Sequence, residues 1–405
     1  MGTIARLATG VAAVALVAAT GCGGPGETGA AEAAVRTDPT AGGWVHVRHD
    51  ALPDRVAWRL VEDLRLGSAA ADDTAAAFGD VRGVAPWAGD RIAVLDHQAD
   101  EIRLFGPDGT YLGVLAGPGQ GPGELGRSNG LVTASDGGMW VNDHGNRRLT
   151  RFHPDEPVRT LRRFVGSYGY LWDGGVGPDG RVWDFTFQLP EAYDPTPGVK
   201  EARIVHWAKA AEPSSGAVDS LEVVVETTQG IALPRGSIAV PFGGSVHRAL
   251  DPVGGSIWVG HSDAFRFTRI SLEGDTLAVL EATVPPEPVR DDERAEAIDR
   301  AEAFMERAGR IDVDWDALIP AVKPLFDQVV VDGSGRLWVR RAESGRRVYH
   351  VFEAGGAYVG RVEAPSGIHG EFRPVIRDDT WLGLVTDELD VPYVVRAALE
   401  APGGG

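Results

Sequence analysis

Asp136-Gly137-Gly138-Met139-Trp140-Val141 joins a tight turn to a short strand with a tryptophan inside it. Asp-Gly supplies the backbone freedom that a reversing chain needs, and the run after it suits a pleated, half-buried surface. The arrangement returns at Asp179-Gly180-Arg181-Val182-Trp183, Gly254-Gly255-Ser256-Ile257-Trp258-Val259 and Gly333-Ser334-Gly335-Arg336-Leu337-Trp338-Val339. An earlier copy, Gly89-Asp90-Arg91-Ile92-Ala93-Val94, has Ala in the Trp place. A last copy, Asp378-Asp379-Thr380-Trp381-Leu382-Gly383-Leu384, carries its Trp two places early. With Ala93, Trp140, Trp183, Trp258, Trp338 and Gly383 taken as equivalent, the gaps are 47, 43, 75, 80 and 45 residues. Three gaps sit near the ~40–45 residues of a four-stranded propeller blade, and two are longer by about one insertion each.

Each copy continues in alternating strands, as in Glu101-Ile102-Arg103-Leu104-Phe105, an Asp108-Gly109 turn, and Tyr111-Leu112-Gly113-Val114-Leu115. Period-two alternation around an Asp-Gly turn is the hairpin signal. A blade cannot bury both faces of its sheet alone, so the blades must stack around an axis and the ring must close. The expected fold is therefore all-β, a six-bladed β-propeller over residues 51–400. Trp58 to Leu66 alternates without a nearby hairpin partner and is expected to close the last blade, since a free apolar edge invites aggregation.

The two long gaps differ in character. Between Trp183 and Trp258, the stretches Leu189 to Pro197 and Ala208 to Ala217 read as extended loops. Between Trp258 and Trp338, a run from Asp291 to Arg307 opens with acids, is rich in Ala and Glu, and places Ile298, Ala301, Phe304 and Met305 on one face. This is a helix, with Glu296 and Arg300 paired one turn apart and a second short helix expected over Trp315 to Val322. The helical insertion, about 286–323, falls between blades 4 and 5. Both a flap packed on a blade edge and a cap over the central funnel fit the pattern.

Composition narrows the partners. With 39 basic and 58 acidic residues the net charge is −19, which repels phosphate backbones and disfavours nucleic acid. The single cysteine, Cys22, excludes an internal disulfide. It follows Arg6, the apolar run Val11 to Ala19 and the small pair Thr20-Gly21, which is the layout of an export signal too short to span a bilayer. Ala19-Thr20-Gly21-Cys22 resembles a bacterial lipobox, with Ala19 in place of the usual Leu or Val. The expectation is a signal peptide over 1–21, a lipidated Cys22 and a flexible tether over 22–50. The protein would then be exported and anchored to a bacterial membrane, on its periplasmic or outer face.

Asp143-His144-Gly145-Asn146-Arg147-Arg148-Leu149-Thr150-Arg151-Phe152 resembles the NHL-repeat signature, D-x-x-N-x-R-[IV]-x-x-F, with Leu149 as the aliphatic. Asp96 to Phe105 is a looser copy with Asp100 in the Asn place. The chain from about 58 to 400 thus resembles the six-bladed propeller lipoproteins of bacteria. NHL-type propellers include scaffolds, ligand binders and a few enzymes, so the resemblance specifies architecture more sharply than activity.

Motifs with local chemistry fail on context. Gly126-Arg127-Ser128-Asn129-Gly130 matches a nucleophile elbow, but a strand and turn follow Ser128 where a helix is required. Asp312-Val313-Asp314-Trp315-Asp316 starts like a calcium loop, yet Ala317 and Lys323 stand where Gly and Glu are needed. Gly121-Pro122-Gly123-Glu124-Leu125-Gly126 matches a dinucleotide loop, but no helix follows and Pro118 and Pro122 remove N–H donors. It reads as a blade boundary, and no nucleotide or other cofactor is expected.

What remains are polar residues in turns after the central strands, which a propeller gathers on one face: Asp96, His97, Asp143, His144, His261, Asp263, Arg341, Glu343, Asp387 and Glu388. They are the candidate ligand-binding set; no metal-ligand set can be picked from them. The leading expectation is a lipid-anchored envelope propeller that binds a protein, peptide or glycan without enzymatic chemistry. The alternative is a metal-dependent hydrolase or lactonase-like enzyme in the funnel, since some six-bladed propellers are calcium-dependent hydrolases with central Asp, Asn and Glu ligands.

Overall fold

The computed structural model describes residues 35–403 apart from 41, 70–74, 163, 165–170 and 189–195. The signal segment, Cys22 and the start of the expected tether lie outside the described residues, as does most of the Leu189 to Pro197 loop. Among the described residues the strands form six sheets. Their first strands are Val81–Trp87 in sheet I, Leu131–Thr133 in II, Gly175–Val176 in III, Val246–Asp251 in IV, Gln328–Val331 in V and Val375–Arg377 in VI. Neighbouring strands within each repeat are antiparallel and follow one another in the chain, so each sheet is a meander.

Side-chain alternation makes each second strand serve two interfaces. Met139 and Val141 reach back to Ala93 and Leu95 of sheet I, while Trp140 reaches forward to Val182 of sheet III. Trp183 packs with Ile257 of sheet IV, Trp258 with Leu337 and Val339 of sheet V, and Trp338 with Val395 of sheet VI. Leu382 and Leu384 then pack with Ile92 and Val94 of sheet I, so the last sheet meets the first. The layout is that of a β-propeller.

One equivalence needs correction. Gly383 has the phase of Trp381, which faces back toward Trp338, and the forward-facing positions of sheet VI are Leu382 and Leu384. A one-residue change of register exchanges the two faces of a strand. The Trp of the last copy therefore seals the interface behind it, whereas the others seal the interface ahead.

Arg59–Leu66 pairs antiparallel with Pro392–Glu400 as the outer strand of sheet VI, and its Leu66 enters the VI–I core. The expected tether is shorter than residue 50. Val35–Pro39 and Val45–His49 form a hairpin whose second strand runs parallel to Thr276–Ala282 of sheet IV. Val47 is buried in the IV–V core, and the His49 Nε2 lies 2.8 Å from the Gly356 carbonyl, which anchors this segment to sheet V.

The insertions also depart from expectation. Ala208–Ala211 is strand rather than loop: Gly198–Ala211 and Val218–Leu233 form one long hairpin, only the Val205–Ala211 part of which pairs with Val182–Gln188. The excess length extends past Val182–Gln188 as a ribbon of sheet III, and Gly236–Ala239 pairs with its Gly230–Leu233 end. Helix α1 (Asp291–Ala308) packs Met305 and Ala308 on Ile231 and Leu233 of that ribbon. The Arg235 N–H donates to the Ala308 carbonyl at 2.8 Å, capping its last turn. Helix α2 is only Trp315–Leu318, because Pro320 forces Ile319 into extended backbone at ψ 120.

Candidate functional site

The six first strands lie side by side around a cavity of about 380 Å³. Each sheet contributes to its wall, through Val84, Leu131, Val176, Leu250, Val330 and Ile376. The wall is apolar. Charge is confined to the ends, with Arg82, Asp173, Glu371 and Arg373 at one mouth and Arg377 at the other. The first mouth opens on the face where each sheet passes to the next, here the connecting face. The turns between second and third strands open on it too, because strand direction alternates.

Asp173 and Arg373 come from sheets III and VI, three places apart in the ring and hence opposed across the channel. The Arg373 guanidinium donates to the Asp173 carbonyl at 3.3 Å and approaches its carboxylate at 3.4 Å. Arg248, from sheet IV, reaches the same carboxylate oxygen at 3.6 Å. The mouth is thus barred by one carboxylate held between two guanidinium groups. Burial pushes Arg373 below its ordinary range, Asp173 opposes the change, and the like charge of Arg248 adds to it.

From Arg248 the polar chain continues outward. Its Nη1 donates to His206 Nδ1 at 2.7 Å, which leaves His206 Nε2 protonated and donating to Glu226 Oε1, also at 2.7 Å. The other Glu226 oxygen lies 3.2 Å from His261 Nε2, and His261 Nδ1 lies 3.5 Å from Asp263. Burial alone would raise the Glu226 pKa; the His206 hydrogen bond and the nearby positive groups outweigh it and hold the carboxyl below its usual range. His247 sits beside this chain with its ring 5.2 Å from Phe326 and its Nε2 3.1 Å from Ser245 Oγ. Burial, together with Arg373, Arg248 and Arg340, pushes its pKa down to about 3.

Of the candidate residues read from sequence, only His261 and Asp263 join this array, and none lines the channel. Asp143 is fully buried: its carboxylate accepts from the Gly126 N–H at 2.8 Å, Arg148 Nε at 2.7 Å and Asn146 Nδ2 at 3.0 Å. Asp96 likewise accepts from the Gly79, Asp80 and Gln98 N–H groups, each at 3.1 Å. His97 Nδ1 lies 2.7 Å from the Ser128 carbonyl, and His144 N donates to the Asn142 carbonyl at 3.0 Å. Arg341 is buried, donates to the Pro285 carbonyl and lies 3.6 Å from Glu343, which accepts from His350 at 2.7 Å. Asp387 holds its own turn by accepting from the Leu389 and Val391 N–H groups at 2.9 and 3.0 Å, and Glu388 is exposed. The ten do not converge on one point.

Asp173, Arg248 and Arg373 were not singled out by sequence, although a signal existed. Each stands just before or early in an apolar first strand, as Arg82 does. His206 and Glu226 lay in what was read as loop-bearing sequence.

No family model matches the chain, and no curated protein matches it. Among solved structures it is similar to virginiamycin B lyase from Staphylococcus aureus, with 11% identity, a TM-score of 0.41, and coverage of 83% of this chain and 98% of that one. A gluconolactonase from Xanthomonas campestris gives 17% identity and a TM-score of 0.41, with 85% and 99% covered. A protein from Bacteroides fragilis described as exported gives 10% identity and a TM-score of 0.47, with 88% and 99% covered. Likeness at this level carries nothing about activity. Among the described residues no helix is long and apolar enough to cross a membrane.

Proposed function

We propose that this chain is a lipid-anchored, six-bladed propeller of the bacterial cell envelope that binds a protein, peptide or glycan at its connecting-face mouth and leaves it chemically unchanged. The observation that carries the reading is the mouth itself, where side chains from sheets III, IV and VI meet at Asp173. A rigid ring that presents convergent polar groups at the end of an apolar channel is suited to recognition.

One feature favours binding over chemistry. The hydroxyl–imidazole pair at the mouth is Ser245 and His247, and an imidazole with its pKa near 3 is a weak base at neutral pH.

The test of binding is to immobilise the mature chain, pass fractionated envelope peptides, glycans and proteins over it, and identify what is retained. The expected result is a ligand recovered with its mass unchanged and displaced by substitution of Arg248. Recovery of a cleaved or rearranged product would replace this reading with an enzymatic one. For the anchor, mass spectrometry of the mature N-terminus should show a lipid on Cys22; cleavage at another residue, or an unmodified Cys22, would remove the membrane from the account.

A further inference from the structure

We infer that the mouth is an oxyanion site, in which a carboxylate or phosphate group of the ligand takes the place of the Asp173 side chain between Arg248 and Arg373. The inference rests on the binding reading above and names the chemistry that reading leaves open.

Three observations support it. Two guanidinium groups share one carboxylate, so the bar across the channel holds one more positive charge than negative. Its contacts are loose, at 3.3, 3.4 and 3.6 Å. An arginine that has settled on its final carboxylate partner typically donates at about 2.7–2.9 Å, as Arg148 does to Asp143 at 2.7 Å. Finally, Arg248 Nε is buried without a hydrogen-bond acceptor among the described residues. An unmet charged donor costs stability, and an oxyanion that took the place of Asp173 would bring an acceptor beside it.

The surroundings set the strength of the site. Arg82 is matched by Asp80 at 2.9 Å, and Arg340 by Asp327 at 2.8 Å, so neither is free to serve the ligand. Glu371 is exposed on the rim and repels an anion, while Glu226 stands one residue further out, behind His206. Arg248 and Arg373 therefore define the pocket, and Asp173 is its internal competitor. An anion must displace that carboxylate, which ties binding to unbarring of the channel between sheets III and VI.

The experiment is thermal unfolding of the mature chain against inorganic phosphate, with chloride at equal ionic strength as the reference. A ligand that binds only the folded state raises the midpoint in a concentration-dependent way. Phosphate should raise it in the native chain, and Asp173→Asn should shift the response to roughly tenfold lower phosphate, a change of about 1.4 kcal/mol. Arg248→Gln combined with Arg373→Gln should abolish the response. Should that double variant not fold by circular dichroism, Arg373→Lys keeps the charge but loses the fork, and must weaken the response about tenfold. An unchanged response in the arginine variants, or no gain in Asp173→Asn, overturns the inference. Phosphate binding without any retained envelope ligand would count against the broader function alone. A retained envelope ligand that phosphate fails to displace would count against the anion site alone.

Discussion

Asp143 and Asp173 are both carboxylates that meet arginine, the first within sheet II and the second across sheets, yet they have opposite roles. Asp143 is fully buried, saturated by Gly126, Asn146 and Arg148, and its arginine also donates to the Gly121 and Glu124 carbonyls, each at 2.7 Å. It staples the crossing from sheet I to sheet II. Asp173 is 22% exposed, faces the channel, and its carboxylate touches its arginines only at 3.4 Å and beyond. Saturated, short contacts make a joint. Unsaturated, long contacts across a cavity make a site.

Breaking each carboxylate in turn should separate the two roles. Asp143→Ala leaves Arg148 without its carboxylate, though still bonded to backbone carbonyls, and uncaps the Gly126 N–H; loss of one member of a buried pair costs about 3–5 kcal/mol, and urea unfolding should show a lower midpoint with the slope unchanged. Met305→Ala opens a cavity under α1, with an expected cost of about 2–3 kcal/mol. Hydrogen exchange should localise that loss to α1 and the Gly198–Leu233 hairpin, sparing the channel strands.

His247→Gln probes the burial of this imidazole and the positive field around it. The folded imidazole resists protonation down to about 3, against 6.5 for an ordinary histidine. As the pH falls below 6.5 the unfolded chain binds a proton that the folded chain refuses, so stability declines through this window. Glutamine should flatten that decline by about one proton in unfolding free energy measured against pH.

Asp173→Ala breaks only long contacts, so it should lower stability less than Asp143→Ala does. Its effect belongs on ligand response instead. Smallest of all, Glu296→Ala removes an exposed pair with Arg300 on α1 and should change stability by no more than about 0.5 kcal/mol. A large loss at Asp173, or a small one at Asp143, would erase the distinction between joint and site.

Much of the frame was readable from the repeat. Trp140, Trp183, Trp258 and Trp338 each occupy the forward face of a second strand, because turn, alternation and aromatic bulk all demand the same placement. The NHL-like signature is readable for a related reason: Asp143, Asn146 and Arg148 act within one turn and on the preceding crossing, so their role is nearly local. The glycine-rich stretch Gly117 to Gly126 belongs to the same joint, with Leu125 N donating to the Gly117 carbonyl at 2.9 Å and Gly123 at φ 80.

The mouth was not readable, because its members are far apart in the chain. Asp173 and Arg373 are separated by 200 residues, and only the packing of the sheets around the cavity brings them together. The long ribbon that carries His206 and Glu226 was hidden by Pro, Ser and Gly near its turns. The last copy misled for a smaller reason, since aligning on Gly383 preserved the spacing but took the wrong face of the strand.

A crystal structure of the mature chain grown in phosphate bears most directly on the central claim. Density for an anion between Arg248 and Arg373, with the Asp173 side chain turned away from both, is the predicted result. An anion bound elsewhere, with Asp173 still seated between the two guanidinium groups, would contradict it.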